Sequence, residues 1–110
     1  MTIIKSAKAA RTTIAAGRER YQTHTDNLMV VVIDFTDGPS AEPDPPHSHP
    51  HEQVTYVAEG EVLFFINGEP VQLAAGDLIT VPPNTPHTIQ LLSNPVRLVD
   101  TFSPIREDFL

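Results

Sequence analysis

QVTYVAEGEVLFFINGEPVQL, Gln53 to Leu73, is the stretch whose reading decides the fold. Gln53 to Ala58 and Glu61 to Ile66 are short runs rich in β-branched and aromatic side chains, bounded by turn residues, and read as two strands. Gly60 hinges these two runs. Asn67-Gly68 then marks a two-residue type I′ hairpin, a turn that needs positive φ at both central positions. Val71 to Leu73 returns from it as a further short strand.

Working outward, the same grammar repeats. Leu28 to Phe35 (LMVVVIDF) is the most strand-like run of the chain, and Asp37-Gly38-Pro39 ends it. After Ala75-Gly76-Asp77 comes a short strand, Leu78 to Val81. The rigid Pro82-Pro83-Asn84-Thr85-Pro86 loop follows, then His87 to Leu92 and a last strand, Val96 to Phe102. Residues 6 to 16 read either as a short helix or as an edge strand. Eight or so short strands separated by turn chemistry imply an all-β sandwich or barrel.

The chain has 110 residues, the length of one domain, able to bury roughly two thirds of its unfolded surface. With no cysteine it has no disulfides, thiolate metal ligands or thiol nucleophile. A net charge of −7 argues against nucleic-acid binding, which calls for a basic stripe. No run reaches the apolar length of a secretory signal or a membrane span, so a cytoplasmic protein is expected.

The chemistry concentrates in His47-Ser48-His49-Pro50-His51-Glu52-Gln53, behind the Pro43-Asp44-Pro45-Pro46 loop. Residues two apart on an extended strand share a face, which would set the His47 and His49 imidazoles side by side. His87, presented by the proline-rich loop before it, is the expected third ligand. Gln53 or Glu52 would complete the set. The amide oxygen of Gln53 leaves the cation its full charge, whereas Glu52 cancels part of it, and strand parity places Gln53 with His49. His51 reads as a supporting or structural residue. Imidazole suits nickel, zinc, manganese and iron alike, so the ligands specify a divalent transition metal without choosing one.

These residues resemble the two motifs of the cupin superfamily. The first, G-x5-H-x-H-x3or4-E-x6-G, is matched from His47 to Gly60 with Gln53 at the glutamate position and the leading glycine displaced to Gly38. The second, G-x5-P-x-G-x2-H-x3-N, is matched from Gly76 to Leu91 with Asn84 for its glycine and Leu91 for its asparagine. The resemblance implies one jelly-roll domain, the double-stranded β-helix, over residues 1 to 110, with a C-terminal tail from 103 to 110. HSHPHEQ, PPNTPH and the terminal D-x-F-S-P-x-R-E-D-F-L look most like the small pectin-degradation cupins. That family converts 4,5-unsaturated uronate monosaccharides into linear 5-keto-4-deoxyuronates. By resemblance its metal ligands fall on His47, His49, Gln53 and His87, and its acid/base and substrate-contacting residues on Asp100, Phe102 and Arg106. A homodimer and an anionic sugar acid are the partners it implies.

The residues by themselves leave alternatives. Asp100 and Phe102 share a face with Leu98; if Leu98 packs inward, Asp100 is a carboxylate inside the barrel, and otherwise it sits on the rim. Arg106 reads either as a bidentate grip for a carboxylate or as a surface partner of Glu107 or Asp108. Open coordination positions would equally serve a cupin oxygenase or lyase, and a non-catalytic small-molecule-binding cupin has the same pocket.

Overall fold

The computed structural model describes residues 1–110 as two facing sheets. Nine strands follow a short 3-10 turn at Ser6–Lys8: β1 Thr12–Ala15, β2 Arg18–His24, β3 Met29–Phe35, β4 Glu52–Glu59, β5 Glu61–Ile66, β6 Glu69–Ala74, β7 Leu78–Val81, β8 His87–Leu91 and β9 Val96–Ser103. One sheet has the order β1-β2-β3-β9-β4-β7, the other β6-β5-β8, and all pairings are antiparallel. This is the jelly-roll expected from the strand-and-turn pattern.

The turns form where the sequence demands them. Asn67 and Gly68 take φ of 50° and 80°, the type I′ signature. Gly60 has φ +83°, and a Cβ there would lie 2.5 Å from the Pro95 carbonyl oxygen, so the bend between β4 and β5 needs glycine on both counts.

Inward-facing side chains divide the interior into two ends. At one end Phe35, Val57, Val62, Phe64, Leu73, Val81, Leu91, Val96 and Leu98 form the main apolar cluster. Burying each such side chain contributes about 1.5–3 kcal/mol, before the entropy of ordering the chain is set against it. Moving along β4 and β9, the inward positions change from Val57 and Leu98 to Thr55 and Asp100, then to Gln53 and Phe102. Along β5 and β8 they run from Val62 opposite Leu91 to Ile66 opposite His87. The apolar core therefore gives way, within one sandwich, to a polar end.

Three expectations need correction. The 6–16 segment is neither one helix nor one strand, but a 3-10 turn followed by the edge strand β1. Strand β2 was not foreseen, because its inward positions carry Arg18, Arg20 and Gln22 opposite Phe35, Ile33 and Val31, so no apolar alternation announces it. His47 and His49 do not lie on a regular strand: His47 makes an isolated bridge with His87, and Pro46 and Pro50 keep the intervening loop out of a ladder.

Candidate functional site

The three histidines converge although their elements differ. His47 exchanges backbone hydrogen bonds with His87 (3.0 and 2.9 Å), which locks the loop before β4 to the start of β8. Asn84 donates its backbone N–H to the His49 carbonyl at 2.7 Å, tying the proline-rich loop to the other side of the HxH turn. Asn84 has φ +58° at the position where the second motif has glycine, and asparagine is the residue that best tolerates this conformation after glycine. One ligand nitrogen from each of His47, His49 and His87 falls within a 4.8 Å group. Their rings lie 4.3 to 5.8 Å apart, centroid to centroid.

Hydrogen bonds orient two of the rings. His87 Nδ1 lies 2.8 Å from the Thr85 carbonyl and His49 Nδ1 lies 3.0 Å from the His51 carbonyl. Each Nδ1–H donates to its carbonyl, so Nε2 carries the lone pair, the tautomer a metal needs. His87 Nε2 is buried with no partner. His49 Nε2 sits 3.0 Å from Gln53 Oε1. The Gln53 amide is held in that sense because its Nε2 donates to Thr55 Oγ1 at 2.9 Å, and Thr55 in turn donates to Asp100 Oδ1 at 2.6 Å. Two acceptors, an imidazole lone pair and an amide oxygen, are thereby pointed at each other in a buried place. A cation relieves that conflict, and the histidine and glutamine set fits a divalent metal. Glu52, the rival ligand, is exposed on the outer face of β4.

Proton affinities are displaced in step with this arrangement. Burial first, then the neighbouring His87 and His49 and the charge of Arg106, push His47 down to about 4. His49 and His87 are also lowered, chiefly by burial. All three therefore remain neutral and able to ligate at physiological pH. Asp100 moves the other way: burial raises it to about 6 against the opposing Thr55 hydrogen bond and Arg106 charge. The inward alternative for Asp100 is the one the fold adopts, with Leu98, Asp100 and Phe102 all facing the interior. Thr55, fully buried two residues beyond Gln53, is its hydrogen-bonding partner and was missed in the sequence. The strand parity that paired Gln53 with His49 contained the signal.

A cavity of about 540 Å³ opens over this centre, lined among others by His47, His87, Gln53, Asp100, Phe102 and Arg106. The C-terminal tail forms part of its wall. After Ser103 the chain turns back through Ile105 and a 3-10 turn at Glu107–Phe109, and Gln22 Nε2 holds the Phe109 carbonyl at 2.6 Å. The Arg106 guanidinium lies over the rings of Phe102 and Phe109, 5.2 and 4.3 Å from their centroids. Of the two readings of Arg106, the structure shows the partnership with Asp108. Its Nε and one terminal nitrogen bond to Asp108 at 3.2 and 2.8 Å, while the side chain, only 13% exposed, stays in the cavity wall. It makes no hydrogen bond to Asp100, which Thr55 satisfies instead. No helix is long and apolar enough to cross a membrane.

Comparison with known proteins agrees with this architecture. Residues 33–102 match the family model described as a cupin domain. The chain is 39% identical to the pectin degradation protein KdgF of Dickeya dadantii (strain 3937) over 89 residues, covering 80% of this chain and 78% of that one. Among solved structures, KdgF from Halomonas sp. superposes with a TM-score of 0.90 at 28% identity, covering 100% of this chain and 99% of the other. An RmlC-like cupin from Shewanella frigidimarina NCIMB 400 gives 0.88 at 35% identity, covering 100% and 96%.

Proposed function

The chain belongs to the cupin family, and from that premise we propose that it is a metal-dependent enzyme that opens 4,5-unsaturated uronates to linear 5-keto-4-deoxyuronates. The observation that carries this reading is the hydrogen-bonded chain from Asp100 through Thr55 to Gln53. It places a carboxyl group with an affinity near neutrality in the same cavity as the histidine centre. A divalent transition metal (Ni, Zn, Mn or Fe) held by His47, His49, His87 and Gln53 would supply Lewis acidity toward the sugar's oxygens.

The protein's own groups account for the proton movements. Asp100, as carboxylate, takes the proton of the anomeric hydroxyl; the bond from C1 to the ring oxygen breaks and C1 becomes the aldehyde carbonyl. The electron pair left on the former ring oxygen is that of an enolate across C4 and C5. Asp100 returns the proton to C4, C5 becomes a ketone, and the sum is an isomerisation with no redox change. An affinity near 6 suits a group that must both accept and donate near neutrality. Thr55 holds Asp100 in place, Phe102 walls the pocket against water, and Arg106 adds positive charge for the uronate carboxylate.

The decisive experiment incubates metal-loaded protein with unsaturated galacturonate and follows loss of the C4–C5 double-bond absorbance. Loss far faster than with His87→Ala supports the proposal. Asp100→Asn should retain metal and lose turnover; full activity in that variant would remove Asp100 from the mechanism. If wild-type protein gives no acceleration, an oxygenase, detectable by oxygen uptake, a lyase or a binding cupin takes precedence. The homodimer implied by the family belongs to the same reading, and light scattering should then find twice the 12.1 kDa chain mass.

A further inference from the structure

Three arginines line the cavity: Arg18, Arg20 and Arg106. Two of them already hold carboxylates. Arg18 bonds to Asp37 at 2.9 Å and to both carboxylate oxygens of Asp44. Arg106 is held in a two-point grip by Asp108. Arg20 is different: no ion pair involves it, and its Nε is buried without any acceptor.

Strand register explains how it comes to face inward. Arg20 pairs with Ile33, and Ile33 with Leu98, so Arg20 stands in the row next to the one that carries Asp100. Two strand spacings, about 10 Å, separate β2 from β9. A sugar ring bearing a carboxylate, met by the extended arginine arm, bridges that gap. The Arg20 guanidinium carbon lies 4.1 Å from the centroid of the Phe109 ring, a cation–π contact that holds the arm against the C-terminal tail. A buried guanidinium with an unmet N–H is costly, and a planar carboxylate offers two acceptors that match it in a fork.

Building on the uronate reading, we infer that Arg20 is the anchor for the carboxylate of the substrate, and that β2 sets the enzyme's preference for acidic over neutral sugars. Arg106, engaged by Asp108, closes the wall and contributes charge without providing the two-point grip. The anchor stands on the same sheet as the residue that moves the proton, two strands away, which orients the ring along that sheet with its carboxylate toward β2.

Calorimetry on metal-loaded protein with saturated galacturonate and with galactose tests the anchor apart from turnover. Wild-type protein should favour galacturonate, and Arg20→Gln should lose about 10- to 100-fold in affinity for it while galactose is unaffected. Arg20→Lys keeps the charge and loses the fork, so it should fall several-fold, and it decides the matter if the glutamine variant does not fold. Unchanged galacturonate affinity in a folded, metal-loaded variant overturns the inference, as does a wild-type protein that binds the two sugars equally. With unsaturated galacturonate, Arg20→Gln should raise KM with kcat nearly unchanged. Wild-type turnover with an unaltered KM in the variant would remove the anchor and leave the ring-opening reading standing. Arg20-dependent galacturonate binding without turnover would do the reverse.

Discussion

Asp100→Asn, examined in metal-stripped protein, isolates what it costs the fold to keep a carboxylate at this position. Burial raises Asp100 from 3.8 to about 6, so the folded state holds its proton more tightly than the unfolded chain does. The sign follows directly. The contribution is fully present below 3.8 and is lost as pH rises through about 6, where the folded protein must finally carry a buried charge. At 1.36 kcal/mol per unit, the loss reaches about 3 kcal/mol by pH 8, roughly half of it above pH 5. Asparagine keeps an Oδ1 to accept the Thr55 hydroxyl and has no charge to bury. Any cost of placing its amide hydrogens is the same at every pH. Urea unfolding of both proteins from pH 5 to 8 should therefore show the stability gap moving in favour of the variant by about 1–2 kcal/mol, with the slope in urea unchanged. A gap that stays flat, or moves toward wild type, would refute the claim that Asp100 is a desolvated carboxylate.

Other perturbations probe the neighbouring contacts. Thr55→Val removes both the donor to Asp100 and the acceptor for Gln53; it should cost about 1–3 kcal/mol in urea unfolding and shift the acid limb of the pH–rate profile upward. Metal content, measured by elemental analysis after dialysis, should hold at pH 6 and fall as pH drops through about 4, because protons then compete for imidazoles whose affinity burial has lowered; full retention well below pH 4 in folded protein would exclude a histidine-dominated site. Saturating metal at about a thousand times Kd should stabilise the wild type by about 4 kcal/mol and leave His87→Ala near its metal-free stability, read as the shift in Tm. Gly60→Ala should destabilise the fold by roughly 1–3 kcal/mol in thermal unfolding, since the new methyl group meets the Pro95 carbonyl oxygen at positive φ.

What the sequence determined by itself is what depends on local period and spacing. The β-branched and aromatic runs from Gln53 to Ile66 and the Asn67-Gly68 turn specified strands and a hairpin, since strand composition and paired positive φ values are properties of a few neighbouring residues. The histidine spacing likewise identified the residues that come together around one centre, and strand parity put Asp100 on one face with Leu98 and Phe102, a face that only the closed sandwich turns inward. Tertiary structure decided the rest, because partners distant in the chain are invisible to periodicity. β2 is a strand only because β1 and β3 flank it, so its inward arginines read as a polar stretch until the sheet forms. Thr55 becomes the link between Gln53 and Asp100 only when β4 pairs with β9, and Arg106 meets Phe109 only when the tail folds back. The identities of the reactive groups are local facts of the chain; the proton affinity of Asp100 and the unpaired state of Arg20 come from burial, which only the closed sandwich imposes.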